Sequence, residues 1–103
     1  MAPHDAFADD MVLAEGLARY EEMITEPVTR LIANWAGLRT FSPDRVPVIG
    51  FDPAQPAFFW AAGQGGYGFQ SCDAISRLIA ELVAGKPSSF TPELVAALNP
   101  GRF

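Results

Sequence analysis

Apolar and polar positions along the chain fall into short patterned stretches separated by proline- and glycine-rich breaks. After a loose lead-in at 1–6, residues 7–25 carry an apolar stripe of Met11, Leu13, Ala14, Leu17, Ala18 and Met23, opposed by Glu15, Arg19, Glu21 and Glu22. This spacing predicts a helix with Asp9 or Asp10 at its start and an end before Pro27, whose ring disfavours helical geometry in the residue preceding it. Residues 28–41 place Val28, Leu31, Ile32, Trp35, Leu38 and Phe41 among polar neighbours and are read as a strand bent at Ala36-Gly37. A turn at 42–45, a strand at 46–51, a second turn at 52–56 and an apolar strand at 57–62 follow. Ile75, Leu78, Ile79, Leu82 and Val83 then recur at helical spacing within 68–84, and Gly85 stands where a helix commonly stops. Thr91-Pro92 opens a last short helix over 92–98. The expected fold is α/β (or α+β), a small mixed sheet of about three strands with two main helices packed on it.

Between the third strand and the long helix lies Gly63-Gln64-Gly65-Gly66-Tyr67-Gly68. Glycine lacks a Cβ and tolerates positive φ, so such a corner lets backbone N–H groups approach a ligand closely. The helix that follows adds unpaired N–H donors and the positive end of its dipole. The result is a seat for an anion or for electron-rich oxygens. Read literally the corner is a G-x-G-x-x-G dinucleotide fingerprint, but the second strand and its terminal acid are missing: Lys86-Pro87-Ser88-Ser89-Phe90 follows instead. A glycine-rich corner with no ligand is a further reading.

At 103 residues the chain is one domain at most. Half of it is hydrophobic, with eight Phe, two Trp and two Tyr, a heavy apolar load for a small domain to cover. Part of that surface is expected to face a partner. The net charge of −5 and the lack of a basic stripe argue against nucleic acid and anionic membrane as partners. The apolar runs are too short to span a bilayer, and the acidic start is not a secretory signal. These features make a cytoplasmic location the default expectation. One cysteine, Cys72, excludes an internal disulfide and a multi-cysteine metal site. Cys72 reads as a buried small hydrophobe, although a first-turn position can also lower a thiol pKa. Trp35 and Trp60 read as packing residues.

Three spaced motifs carry a resemblance: Trp35-Ala36-Gly37-Leu38-Arg39 followed by Asp44, then Val46-Pro47-Val48-Ile49-Gly50, then Phe59-Trp60-Ala61-Ala62-Gly63 through Gly68. In this order they resemble the C-terminal part of the FAD-dependent amine and D-amino-acid oxidoreductases, the family of glycine oxidase, sarcosine oxidase and D-amino-acid dehydrogenase. The match covers 35–85, and residues 7–34 fit the helix and strand that precede it in the family. The resemblance implies FAD as cofactor, with the corner against the pyrimidine end of the isoalloxazine ring. It implies ring contacts from Gly37, Leu38, Arg39, Gly63, Gly65, Gly66, Tyr67, Gly68, Phe69 and Gln70, and substrate contacts from Arg39, Tyr67 and Gln70. No side chain is required as a catalytic acid or base, and no metal is implied.

Arg39 is similar to the family's carboxylate-binding arginine; pairing with Asp44 or Asp52 is its other reading. Gln70 stands where sarcosine oxidases carry a substrate-binding lysine. Gly37 stands where they carry a cysteine bonded to flavin, which excludes a covalent link there. The family's nucleotide-binding unit lies upstream of the matching part. The expectation is therefore that FAD is held only with that N-terminal part or a partner chain, that the chain alone is inactive, and that it self-associates or completes a partner. The implied substrate is a small amino acid or amine. A non-catalytic interaction or dimerisation module that keeps the fold without flavin is the alternative.

Overall fold

The computed structural model describes residues 2–103, which fall into two compact units, 2–38 and 39–103. In the first unit, helix α1 spans Asp10–Glu21. Asp9 caps it: one carboxylate oxygen accepts from the Met11 and Val12 N–H groups at 2.9 and 3.0 Å, satisfying two donors that the first turn leaves open. The helix is shorter than its stripe implies, because β-branched Ile24 and Thr25 and then Pro27 crowd its end. Phe7, Val12, Leu13, Gly16, Leu17 and Trp35 are among the residues lining one groove along α1.

The expected strand at 28–41 does not form, so the sheet has two strands rather than three and is antiparallel rather than mixed. The reason lies in the pattern: Leu31, Ile32, Trp35, Leu38 and Phe41 do not alternate with a period of two, and every residue from 31 to 41 is exposed. A strand also needs a row of hydrogen bonds to a neighbour, and among the described residues the backbone of this segment has only the bond from Gly65 N–H to Thr40 O.

In the second unit, β1 (Val48–Phe51) pairs with β2 (Phe59–Ala62) in the register Val48↔Ala62 to Phe51↔Phe59. Asp52 closes the hairpin, its Oδ1 accepting from Ala54 N–H at 2.7 Å and Gln55 N–H at 2.9 Å. Helix α2 (Gly68–Val83) ends in a Schellman pair, Gly85 N–H to Leu82 O and Lys86 N–H to Glu81 O. Helix α3 (Pro92–Leu98) starts as the sequence predicts, with the Thr91 hydroxyl accepting from Leu94 N–H at 3.3 Å and Pro92 in the first position. A 3₁₀ turn, Pro100–Arg102, follows.

β1 is the hub: α2, α3 and the 3₁₀ turn all pack on it. The core is small, with Ile49 and Leu78 at 1% and 2% exposure. The fold class is therefore α/β as expected. Two packing assignments are corrected: Trp35 is 86% exposed, and Cys72 is exposed rather than buried. No helix among the described residues is long and apolar enough to cross a membrane.

Candidate functional site: an open glycine corner beside Arg39

The corner is built by β2 running into α2. Gly65 sits at φ +55 and donates its N–H to Thr40 O at 2.9 Å, which stitches the corner to the segment 39–42. A Cβ on Gly65 would collide with the Phe41 ring. Glycine is needed there for the backbone angle and for the ring at once. At Gly66 a Cβ would meet Arg39 Nη1 at 3.3 Å, so the guanidinium reaches the corner itself.

Helix α2 begins without a side-chain cap. Tyr67 holds the N-cap position, makes no capping bond, and no acid stands in the first turn. Its carbonyl accepts from Ser71 N–H at 2.9 Å, which leaves Gly68, Phe69 and Gln70 as N–H donors with no protein partner among the described residues. These donors sit at the positive end of a sixteen-residue helix. Tyr67, Phe69 and Gln70 are exposed, Phe69 at 97%. Phe41 fills the space over Gly65, and Gln64 lies against Gly68; the space beside Gly66 and Tyr67 stays open as a cavity of about 540 Å³ lined by Phe41, Arg45, Gly66 and Tyr67.

The structure brings Arg39, Gly66 and the start of α2 together. Gly63, the residue after β2, is buried beside Ser42 and Val48. Gly37 and Leu38 belong to the first unit, and both are exposed. Arg39 pairs with neither Asp44 nor Asp52. Asp44 is taken by Arg102 at 2.7 Å. Asp52 accepts the Trp60 indole N–H at 2.9 Å. That bond, ahead of the two backbone bonds, holds the Asp52 carboxyl below its ordinary value. Trp60 is thus a polar anchor for the hairpin turn as well as a packing residue. Among the described residues the ion pairs are Arg77–Asp73 and Arg102–Asp44, and the Arg39 charge has no counter-ion.

Phe41, Arg45 and Arg102 were not legible as parts of this region. Arg45 occupies φ +62, rare for a side-chain-bearing residue, and its guanidinium carbon stands 5.1 Å from the Phe41 ring centroid. The signal available was the turn Ser42-Pro43-Asp44-Arg45, which fixes where Arg45 sits but not what it faces.

Backbone donors without protein acceptors, a glycine approach and a guanidinium without a counter-ion, all among the described residues, stand together at this strand-to-helix corner. That donor set fits the electron-rich edge of a flavin ring. The FAD dependent oxidoreductase family matches residues 2–82. The chain belongs to that family. It is similar to the tRNA 5-methylaminomethyl-2-thiouridine biosynthesis bifunctional protein MnmC of Thiobacillus denitrificans, 32% identical over 91 residues, covering 84% of this chain and 15% of that protein. The protein of the same description from Caulobacter sp. is 32% identical over 105 residues, covering 96% and 17%. A D-amino acid dehydrogenase of Paramagnetospirillum magneticum is 37% identical over 57 residues, covering 55% and 13%. The chain therefore spans 13–17% of the length of these relatives.

Proposed function

We propose that this chain forms the ring-facing and substrate-facing end of an FAD-dependent oxidoreductase that oxidises a C–N bond of a small amino acid or amine, as glycine oxidase and sarcosine oxidase do. The carrying observation is the uncapped start of α2, where Gly68, Phe69 and Gln70 offer free N–H groups beside Gly66 and Arg39. The similarity to a D-amino acid dehydrogenase and to the MnmC proteins supports the same reading. Bound flavin would supply the two-electron acceptor for this chemistry.

The chain's own groups then have distinct tasks. Gly66, exposed and free of Cβ, allows a planar ring close to the backbone. The N–H groups of Gly68, Phe69 and Gln70 stabilise negative charge at the edge they face, helped by the helix dipole. Arg39 holds a substrate carboxylate through two parallel hydrogen bonds. Tyr67 and Gln70 line the approach, Gln70 as a neutral donor, and Phe69 helps to keep water out. A partner or an N-terminal portion supplies the nucleotide grip.

Riboflavin, which lacks the nucleotide tail, tests this directly. Titrated into the chain, it is expected to shift the amide resonances of Gly66, Gly68, Phe69 and Gln70, and to leave α3 unmoved. Shifts scattered over the surface, or none, overturn the ring-facing role. Arg39→Gln is expected to leave riboflavin binding intact and to remove acetate binding at the corner.

A second reading is favoured by the exposed side chains of Phe7, Met23, Ile32, Trp35 and Phe69: an interaction module that keeps the fold without flavin. It predicts a concentration-dependent dimer by sedimentation with no riboflavin effect, whereas the flavoenzyme reading predicts riboflavin shifts in the monomer.

A further inference from the structure

Of the six arginines, Arg77 and Arg102 have carboxylate partners among the described residues, and Arg19, Arg30, Arg39 and Arg45 have none. Two of the unpaired ones, Arg39 and Arg45, flank the glycine corner. Arg39 places Nη1 near Gly66, and Arg45 stacks 5.1 Å from the centroid of Phe41, whose ring lies against Gly65. Gly65 and Gly66 are adjacent, so both side chains are placed by the same glycine pair, Arg39 directly and Arg45 through Phe41. Arg45 and Gly66 line the same cavity of about 540 Å³, room for a small ligand. The nearest carboxylate in sequence, Asp44, is turned away to Arg102, and the ion pairs among the described residues include neither corner arginine. Arg45 also holds φ +62, a conformation costly for its side chain and easy for Asn or Gly.

We propose that the corner takes a substrate with two anionic groups, an amine or amino acid bearing a second acid, with one carboxylate on Arg39 and the other on Arg45. This rests on the reading of Arg39 as the carboxylate site. Guanidinium groups suit both positions because each offers a planar fork to a carboxylate, and Phe41 holds the Arg45 fork by cation–π contact without neutralising it. A small dianion fits better than a nucleic-acid polyanion, because the chain's net charge of −5 repels a long anionic backbone.

The test compares succinate with acetate at constant ionic strength, followed on the whole chain by amide and arginine Nε–H resonances. Succinate is expected to bind about ten-fold more tightly than acetate, one extra charged contact. Arg45→Asn, which suits the left-handed backbone and so preserves the turn, is expected to erase the preference while acetate still binds. Arg45→Lys is expected to restore part of it. Arg39→Gln should weaken both anions. Equal binding of the two by the wild type, or a preference that survives Arg45→Asn, overturns the dianion proposal and leaves Arg39 as a single carboxylate site. If neither anion moves the Arg39 and Gly66 signals, the carboxylate role of Arg39 falls as well, while the riboflavin titration still judges the ring-facing role. Binding of a short RNA with no response to succinate also overturns it.

Discussion

Arg102 closes a two-point fork on Asp44 across 58 residues of chain, with Nε 2.7 Å from Oδ2 and Nη2 3.1 Å from Oδ1. Nη2 also donates to Val46 O at 2.8 Å and Nη1 to Asn99 O at 3.0 Å. The end of the chain is thus tied to the turn that carries Phe41 and Arg45. The Arg102 fork, followed by the Ser42 hydroxyl and the Val46 N–H, holds the Asp44 carboxyl far below the usual carboxylate range.

A carboxyl with a lowered folded pKa stabilises the fold fully above its unfolded value of about 3.9 and loses that contribution as pH falls toward the folded value. Wild type is therefore expected to exceed Asp44→Asn in urea midpoint at pH 7, with the gap narrowing below about pH 4. Urea titrations across pH measure it; a gap that stays constant down to pH 3 contradicts the assignment. Arg102→Ala should mimic Asp44→Asn, and the double variant should add little to either.

Asp52 supplies a second acid-sensitive contact with an optical reporter. In a Trp35→Phe background, Trp60 is the remaining tryptophan. Its emission is expected to hold steady from pH 7 to about pH 4 and to change below that, as protonation of Asp52 weakens the indole bond. Asp52→Ala should show altered emission already at pH 7. Identical neutral-pH spectra of parent and variant would contradict the contact.

The small core around Ile49 and Leu78 makes a sharp mutational expectation. Leu78→Ala or Ile49→Ala should destabilise the second unit by about 2–5 kcal/mol, enough to unfold much of so small a domain. Leu78→Met should cost less than about 1.5 kcal/mol. Circular dichroism with urea separates these, and equal losses for Ala and Met would show that Leu78 is not packed as described.

Gly65 and Gly85 have nearly the same φ, +55 and +65, but different surroundings. A Cβ on Gly85 meets nothing within 4 Å, whereas one on Gly65 strikes Phe41. Gly85→Ala should therefore cost about 1 kcal/mol, the backbone term alone. Gly65→Ala should cost more and shift the Phe41, Thr40 and Gly66 resonances together. Equal effects of the two would mean that Phe41 does not rest on the corner.

Local chemistry decided what the sequence could show. Asp9 as a cap, Thr91-Pro92 as a helix start, Gly85 as a helix stop and the two strands on either side of the Asp52 turn, though not their antiparallel pairing, are all set by a few neighbouring residues. They stood out because capping and turn bonds span at most a few positions. The strand read at 28–41 failed because strand formation depends on a distant partner, which local pattern cannot supply. The glycine corner was legible as a donor-rich turn, and its motif order marked the family. Tertiary structure alone decided that Phe41 covers Gly65, that Arg39 stands free at Gly66, and that Asp44 belongs to Arg102. Those contacts join residues far apart in the chain, and charge and shape select among such pairings only once β1 has gathered α2, α3 and the last turn around itself.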